Sequence, residues 1–429
     1  MTVAAPEREA TLAGRAAAIA PSLRLAARRF GTPSYVTDLA VIAAAAETLR
    51  AAFPDPWIRR YSVKANDVPA IVAAATRHGL GANVVSRGEW AAARDAGLAN
   101  DAITLEGIGK TQADLSAAVR AARDGRPLGW VAVESADEAE ALGSLATRAD
   151  LGGGACPPLD VLLRLNPDVS PETAPGLAVG VGASKFGMDE TEFTSVVERL
   201  PASLRARGVH VHVGSQLGAV DAWRDGARRA IALVALIRPG RDAFDTVDLG
   251  GGFPVPPSDR PAPSPEQFAR QVEPILEATP GDRRPRRLAI EPGRFLVARA
   301  GWLLARVLHA RTRGGGLVVL DAGMTELIRP ALYGAVHDIV ALTSLGRPLD
   351  DPVAAALADG VEVEVDGPIC ESTDRFGRHR LPPLRRGDLV AIADAGAYAA
   401  SLSSTYNGRR VARQVLVEPD GSLRAVRRR

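Results

Sequence analysis

The chain has 429 residues, of which 46% are hydrophobic and 24% are charged, the composition of a folded globular protein rather than a disordered one. Its formal net charge of +2 gives no electrostatic basis for binding nucleic acid or an anionic membrane surface. No apolar run approaches the roughly 18 residues that span a bilayer, and the N-terminal segment lacks the pattern of a secretory signal. Two cysteines, Cys156 and Cys370, cannot form a disulfide framework, so we expect a cytoplasmic protein.

Eight short apolar segments of β character recur from residue 61 onward. They lie at 61–66, 82–86, 103–107, 130–135, 160–166, 209–215, 246–252 and 288–294. Stretches rich in Ala, Leu and Arg separate most of them, and strands that alternate with helices indicate parallel strands joined by right-handed crossovers. The eight units predict an α/β fold, a (β/α)8 barrel of the TIM type, with an open doubly wound sheet as the alternative.

The pattern changes after residue 297. Five further segments there look like strands, at 302–313, 316–323, 361–367, 388–396 and 414–426. One of them alternates with period two, and the Asp-Gly pair at 420–421 predicts a hairpin turn. We therefore predict a C-terminal antiparallel β domain, joined by the N-terminal segment near 33–38.

The predicted domains are a barrel over residues 38–297 and a β domain formed by residues 1–37 and 298–429. Two Gly- and Pro-rich segments, 151–158 and 254–265, are predicted to be loops. Most of the eight barrel segments end in polar or glycine residues. Because the C-terminal ends of barrel strands share one rim, we expect these residues to face the rim that carries chemistry.

Lysine is rare in this chain, which contains only Lys64, Lys110 and Lys185. A lysine that is kept where arginine would serve as a surface charge suggests a role for its amine, because only an amine forms an imine. Lys64 ends the first barrel segment and is our candidate for a Schiff-base lysine, although most lysines are solvated surface charges. Lys110 lies in the segment 107–111, which resembles a P-loop but lacks its first glycine, so we predict no nucleotide site there.

Three glycines, Gly250, Gly251 and Gly252, end the seventh barrel segment. Their backbone amides could bind a phosphate, but a tight turn between strand and helix also selects glycine. Ser215, after the sixth segment, could add a hydroxyl donor or could be the N-cap of a helix.

Glu291 and Arg294 follow the eighth segment, either as a structural ion pair or as site residues. Glu291 could hold a heterocyclic nitrogen protonated, and Arg294 could bind a carboxylate through its bidentate fork. His210 and His212 point to the same side of one strand. No third ligand completes a metal set, so we predict no metal and take His212 as the residue that contacts a flat ring.

The C-terminal domain offers a second group of candidates. Cys370 and Glu371 combine a thiol proton donor with a carboxylate. The hydroxyl of Tyr398 could bond a phosphate, and Arg329 and Tyr333, four residues apart, could share one helical face as a second carboxylate clamp.

Taken together, these motifs resemble the fold-type III pyridoxal-phosphate decarboxylases, and most of all the diaminopimelate decarboxylases. The resemblance covers nearly the whole chain in family order. It rests on YSVKAN, GANVVSRGE, SKFG, HVHVGSQ, LGGG, EPGR, DAGMTELIRPALY, GPICESTD and GAYAASLSSTYN. It implies a barrel with a C-terminal β domain, pyridoxal 5'-phosphate as cofactor, and a homodimer with composite active sites.

The resemblance also implies a role for each matching residue. Lys64 would form the Schiff base and His212 would stack on the cofactor ring. Ser215, the glycines at 250–252, Gly293 and Tyr398 would hold the phosphate, and Glu291 would pair with the pyridine nitrogen. Arg294, Arg329 and Tyr333 would bind the substrate carboxylate. Cys370 of the second subunit would protonate the product, and Glu371 would recognise the distal amino group.

The implied activity is decarboxylation of meso-2,6-diaminopimelate to L-lysine, in lysine biosynthesis. Two features differ from the family pattern near the predicted site: Asn83 stands where aspartate is usual, and the 107–111 loop replaces one that contains asparagine. They leave open a decarboxylase of ornithine, lysine, arginine or a carrier- or citrate-linked amino acid. A racemase and a catalytically silent relative are further alternatives, which release of carbon dioxide would separate from a decarboxylase.

Overall fold

The computed structural model describes residues 11–154, 156–255, 261–311 and 316–427. Residues 1–10 of the N-terminal segment, which lacks the pattern of a secretory signal, lie outside the described range. Residues 256–260 of the loop predicted at 254–265 also lie outside it. The described residues divide into a barrel unit, formed within 44–256 and 261–296, and a β unit, formed within 1–43 and 297–429. Within these residues, no helix is both long and apolar enough to cross a membrane.

The first elements of the chain are helix α1 (Leu12–Phe30), strand β1 (Ser34–Asp38) and helix α2 (Leu39–Ala52). The side chain of Thr11 caps α1 by accepting a hydrogen bond from the amide of Gly14, 3.1 Å away. One face of α1, which includes Leu23, is buried with Trp302 and Val415 in a hydrophobic core of the β unit. The N-terminal segment therefore belongs to the β unit through both α1 and β1.

Eight parallel strands close the barrel, and each pairs with its neighbours in chain order while the last pairs with the first. They are β2 (Ile58–Ser62), β3 (Gly81–Val84), β4 (Ile103–Leu105), β5 (Trp130–Val133), β6 (Leu159–Leu165), β7 (Leu204–Val211), β8 (Thr246–Asp248) and β9 (Arg287–Ile290). The predicted TIM-type barrel is confirmed, and the open sheet is wrong.

Helices connect the barrel strands, and polar N-caps begin several of them, such as Ser86, Thr111 and Ser135. The helices are α3 (Pro69–Thr76), α4 (Arg87–Asp95), α5 (Gln112–Arg123), α6 (Ala136–Arg148), α7 (Glu190–Arg199), α8 (Asp221–Ile237), α9 (Pro265–Ala269), α10 (Glu273–Ala278) and α11 (Arg294–Val297). Most of the predicted strand segments extend beyond the observed strands at their C-terminal ends. Their polar residues therefore lie on the loops of one rim.

The strands of the β unit after β1 are β10 (Gly301–Arg311), β11 (Leu317–Leu320), β12 (Ile339–Ala341), β13 (Thr343–Ser344), β14 (Arg347–Pro348), β15 (Val361–Asp366), β16 (Arg375–Leu381), β17 (Leu389–Ile392), β18 (Arg413–Val417) and β19 (Leu423–Val426). A nine-stranded sheet has the order β16-β15-β11-β10-β1-β18-β19, and in it β17 pairs with both β10 and β12. The short strands β13 and β14 pair with each other in a separate two-stranded sheet. Two short helices, α12 (Arg329–Tyr333) and α13 (Pro352–Asp359), complete it.

The sheet is mostly antiparallel, as expected, and the predicted hairpin joins β18 to β19. It differs from the prediction in two pairs, because β1 pairs with β18 and β11 pairs with β15 in parallel. A short hairpin can join only antiparallel strands. The connections between these partners are long, so the two strands of each pair can run in parallel.

Candidate active site

Lys64 lies in a single turn of 3-10 helix, Val63–Ala65, directly after β2. Its two neighbours in this turn are buried, whereas Lys64 itself is exposed. The charge of Lys64 lowers the pKa of His212 and that of Glu89, although burial dominates and raises the pKa of Glu89 to about 7. The turn thus brings the amine into electrostatic reach of residues from two other strand ends of the barrel.

His212 follows β7 immediately. Burial, followed by the charges of Lys64 and Arg164, lowers its pKa well below the usual histidine value, so its ring is neutral near pH 7. The amide of Gly251 donates to Nδ1 of this ring across 3.2 Å. Because Nδ1 accepts, the ring proton lies on Nε2, and the contact fixes both the tautomer and the position of the ring.

The glycine turn after β8 is shaped by close backbone packing. A Cβ on Gly250 would lie 2.7 Å from the carbonyl oxygen of Val211 and 2.8 Å from Nδ1 of His212, and its φ is +65°. The amide of Gly250 donates to Oδ1 of Asp248 across 2.9 Å. Two of the three predicted phosphate-binding amides are therefore used inside the protein, which leaves that of Gly252 as the best placed to bind an anion.

Ser215 does not cap a helix. Its hydroxyl oxygen accepts from the guanidinium of Arg294, with Nη2 at 2.9 Å and Nε at 3.3 Å. Arg294 is buried and begins α11. A hydroxyl beside a buried guanidinium suits an anionic ligand, and the serine proton stays available for donation.

Gly293 packs against the turn that carries Lys64. A Cβ on Gly293 would lie 3.1 Å from Cβ of Ser62 and 3.2 Å from Cβ of Ala65. The amide of Ser62 also donates to the carbonyl oxygen of Pro292 across 3.0 Å. The end of β9 therefore supports the Lys64 turn directly.

Glu291 and Arg294 have different hydrogen-bond partners. The side-chain amide of Asn83 donates to Oε1 of Glu291, and Nε2 of His210 lies 3.6 Å from Oε2 of Glu291. Sequence reasoning missed Glu106, which follows β4 and places its Oε2 3.4 Å from the same Nε2. The signal was present in the sequence, because Glu106 is one of the polar residues that end the apolar segments.

A second buried pair, also missed, lies on neighbouring strand ends. Nη1 of Arg164 is 2.6 Å from Oε1 of Glu134, and both side chains are buried. The amide of Gly187 donates to Oε2 of Glu134 across 3.1 Å. Glu134 therefore ties the SKFG segment to β5.

Lys110 lies on the loop after β4, as expected, but its side chain is buried. It donates to the carbonyl oxygen of Gly107 and forms an ion pair with Glu138 at 3.0 Å. These contacts give Lys110 a structural role in holding the 107–111 loop. Cys156 contacts the carbonyl oxygen of Arg123 at 3.9 Å and has no relation to the residues above.

Two predicted site residues of the β unit, Arg329 and Tyr398, lie close together. Arg329 begins α12 and is buried, and its guanidinium carbon lies 6.0 Å from the centre of the Tyr398 ring. Tyr333 ends the same helix and is 37% exposed. Tyr398 has a φ of +57°, a left-handed conformation that is uncommon for a tyrosine.

Cys370 and Glu371 lie on the loop between β15 and β16, and both are exposed. The hydroxyl of Tyr406 donates to Oε1 of Glu371 across 2.7 Å. The buried carboxylate of Asp374 organises this loop, because it accepts from the amides of Ile369 at 2.7 Å and Met324 at 2.5 Å. The role of Asp374 in this loop was not predicted from the sequence.

An amine, a neutral imidazole, a glycine turn and a buried carboxylate thus lie at the strand ends of one barrel. Residues 39–298 match the sequence model of the pyridoxal-dependent decarboxylases, pyridoxal binding domain. The match covers more than half of the chain, which therefore belongs to the pyridoxal-dependent decarboxylases.

The similar proteins narrow this class. The chain is 35% identical to a diaminopimelate decarboxylase of Aquifex aeolicus over 95% of this chain and 91% of that protein. It is 34% identical to one of Zymomonas mobilis, over 92% and 90% respectively. The crystal structure of the Helicobacter pylori diaminopimelate decarboxylase complexed with L-lysine aligns with a TM-score of 0.83 at 27% identity, covering 94% of this chain and 95% of that one.

Proposed function

We propose that this protein decarboxylates meso-2,6-diaminopimelate to L-lysine with pyridoxal 5'-phosphate as cofactor. The main support is the family match together with two relatives that are named diaminopimelate decarboxylases. This chain matches each of them over nearly its whole length. Two solved structures with this name, from H. pylori and M. jannaschii, are complexed with L-lysine, the product of that reaction.

The residues on the rim fit this cofactor, which carries an aldehyde, a phosphate and a pyridine nitrogen. Lys64 supplies the amine for the aldehyde. The amide of Gly252, the hydroxyl of Ser215 and the guanidinium of Arg294 form a set of donors for the phosphate. The contact between Ser215 and Arg294 favours a phosphate role for this arginine over a substrate role. Glu291 is a buried carboxylate suited to hold a proton on the pyridine nitrogen.

When bound, pyridoxal 5'-phosphate accepts into its ring the electron pair released from the bond between Cα and the leaving carboxylate. Glu291 would keep the pyridine nitrogen protonated, and the neutral ring of His212 would contact the cofactor ring. Lys64 would hold the cofactor through its amine when no substrate is bound.

We assign the remaining predicted residues to the substrate and to proton delivery. Arg329 and Tyr333 bind the carboxylate that is retained, and Tyr398 contributes to the phosphate site. Cys370 donates the proton to Cα, and Glu371 recognises the distal amino group. The contact from Tyr406 to Glu371 holds this carboxylate in one orientation. In our proposal, Cys370 and Glu371 act in the site of a second copy of the chain in a homodimer.

A substrate panel tests the activity. The purified holoenzyme is incubated with meso-diaminopimelate, ornithine, lysine and arginine, and carbon dioxide release and the amine product are measured. We expect diaminopimelate to have the highest kcat/KM and L-lysine to be its product. Higher turnover on another amino acid would replace diaminopimelate as the substrate, and racemisation without carbon dioxide would overturn decarboxylation. Sedimentation of the holoenzyme tests the dimer.

A further inference from the structure

Two carboxyl groups lie side by side in the barrel, with a histidine against both. Glu106 is 3% exposed, Glu291 is 7% exposed and His210 is 2% exposed. Nε2 of His210 lies 3.4 Å from Glu106 and 3.6 Å from Glu291, and the facing atoms of the three residues are all within 4.8 Å of one another. Two buried carboxylates this close repel strongly unless they share a proton.

The surroundings decide which group carries that proton. Burial, followed by the charge of Glu291 and a hydrogen bond with it, raises the pKa of Glu106 to about 8. Burial lowers the pKa of His210 to about 4, so the imidazole does not take the proton at neutral pH. These directions favour Glu106 over His210 as the group that carries the proton at neutral pH.

Other charged groups surround the three residues. Arg60 lies over the ring of Trp130, 4.5 Å from its centre, and it stabilises negative charge in the cluster. Burial, followed by the charges of Glu291 and Glu106, strongly raises the pKa of Asp248, so a further negative charge in this part of the barrel is disfavoured. The charges of Arg164 and Lys64 add to the lowering of the His210 pKa, whereas the charge of Glu134 raises it.

We propose that Glu106 is a positioning residue that acts on the cofactor through Glu291: it stays a neutral carboxylic acid and donates a hydrogen bond to the Glu291 carboxylate. The proposal rests on the proposed function only in pairing Glu291 with the pyridine nitrogen. Oε1 of Glu291 already accepts from Asn83. Oε1 of Glu106 accepts from the indole nitrogen of Trp130 at 3.3 Å, so the Glu106 carboxyl is held in place.

Glu291 then accepts from two neutral donors, Asn83 and Glu106. The two donors fix the orientation of the Glu291 carboxylate and leave it as the charged member of the cluster. A charged carboxylate beside the pyridine nitrogen keeps the proton on that nitrogen, where it favours loss of the substrate carboxylate. The asparagine at position 83 fits this arrangement, since an aspartate there would put a third acid against Glu291.

The first test uses the apoprotein and needs no substrate. Infrared difference spectra between pH 6 and pH 10 report protonated carboxyl groups. We expect a carboxylic acid band that is lost with a midpoint near pH 8 in the wild type and is missing in Glu106→Gln. Glu89→Gln is the matched control, because Glu89 is a carboxyl of raised pKa elsewhere in the barrel, and this variant should keep the component near pH 8. The same component persisting in Glu106→Gln would overturn the proposal.

A second measurement guards against a variant that fails to fold. The indole of Trp130 touches Glu106, so its emission in the wild type should change as Glu106 ionises near pH 8, and this change should be absent in Trp130→Phe. If the part of the emission that comes from Trp130 does not change between pH 6 and pH 10, Glu106 is not a neutral acid at pH 7.

The holoenzyme then tests the link to the cofactor. Glu106→Gln keeps a hydrogen-bond donor but cannot ionise, so it should bind pyridoxal phosphate like the wild type and lose the spectral transition of the bound cofactor near pH 8. Glu106→Leu removes the donor and should bind the cofactor about tenfold more weakly. Equal affinity and equal spectral titration in all three proteins would overturn the role. A protein that shows the carboxyl band but no diaminopimelate turnover would refute the proposed substrate and leave this inference intact.

Discussion

The amide of Gly251 donates to Nδ1 of His212 across 3.2 Å, and this one contact joins the glycine turn to the imidazole. The position of the imidazole therefore depends on the conformation of the glycine turn. The turn approaches the ring so closely that a Cβ at Gly250 would meet Nδ1 at 2.8 Å. The glycines of this turn therefore shape the site of the histidine.

This use of the Gly250 and Gly251 amides leads to a prediction for Gly252→Ala. The added methyl would lie 2.7 Å from Cδ1 of Leu217 and would displace the amide that we assign to the phosphate. We expect a loss of about 10- to 100-fold in pyridoxal phosphate affinity, the value of a hydrogen bond to a charged group, measured by titrating the apoprotein. Gly79→Ala is the control: its φ of +81° imposes similar backbone strain, but nothing lies near the added methyl. Equal affinity in both variants would show that Gly252 does not contact the phosphate.

A second prediction concerns Lys64, whose amine is the covalent anchor in the proposed chemistry. Lys64→Arg keeps the positive charge but cannot form an imine, so turnover should fall by at least about 10²-fold and the visible band of the lysine-bound cofactor should vanish. Borohydride reduction of the wild type followed by peptide mapping should label Lys64. Labelling of Lys110 or Lys185 instead would contradict the assignment.

The two cysteines give a third prediction with an internal control. Cys370→Ala removes the proposed proton donor, so kcat should fall by about 10²- to 10⁴-fold with little change in cofactor affinity. Cys156→Ala removes a thiol that donates a hydrogen bond to the carbonyl of Arg123 and has no assigned role in the site, so it should leave kcat unchanged. Deuterium incorporation at Cα in heavy water monitors the protonation step. Undiminished turnover in Cys370→Ala would assign proton delivery to another group.

The fold could be predicted from the sequence because most barrel strands are short, largely apolar runs that are followed by polar or glycine residues. Lys64, His212 and Glu291 could be predicted as site residues because each is a polar residue at the end of such a run. The strand boundaries were less certain, because residues such as Ala65 and Gly251 continue the apolar character beyond the last ladder pair. Parallel pairing of β1 with β18 could not be predicted, since it joins segments from opposite ends of the chain.

The buried network around Glu291 was the main omission at the site. Asn83 lies in β3, His210 lies in β7 and Glu106 follows β4, and no spacing along the chain indicates that their side chains converge. The burial of Glu106 and Glu291 is also contrary to the usual behaviour of acidic residues, which are solvated unless they are paired. The contact of Arg294 with Ser215 was missed for the same reason, since 79 residues separate them.

The lowered pKa of His210, about 4 against 6.5 for a free histidine, gives a fourth prediction. Between these values the unfolded chain binds more protons than the folded protein, so stability is fully present above about pH 6.5 and is lost as the pH falls through 4. His210→Gln removes this component, and its unfolding free energy should depend less on pH in this range. Urea unfolding of the apoprotein at pH 7 and pH 5 measures the difference. The same slope in both proteins would mean that His210 is protonated in the folded state.

The buried pair of Arg164 and Glu134 gives the last prediction. Glu134→Ala leaves a buried guanidinium without its carboxylate and frees the amide of Gly187, so we expect a loss of about 3–5 kcal/mol in unfolding free energy. Glu134→Ala combined with Arg164→Met removes both charges and should recover much of this loss, because an apolar pair avoids the cost of an uncompensated charge. Arg164 also lowers the pKa of His212, so the double variant should raise this pKa, which histidine NMR can follow. If the double variant is no more stable than Glu134→Ala alone, an uncompensated charge on Arg164 is not the cause of the loss.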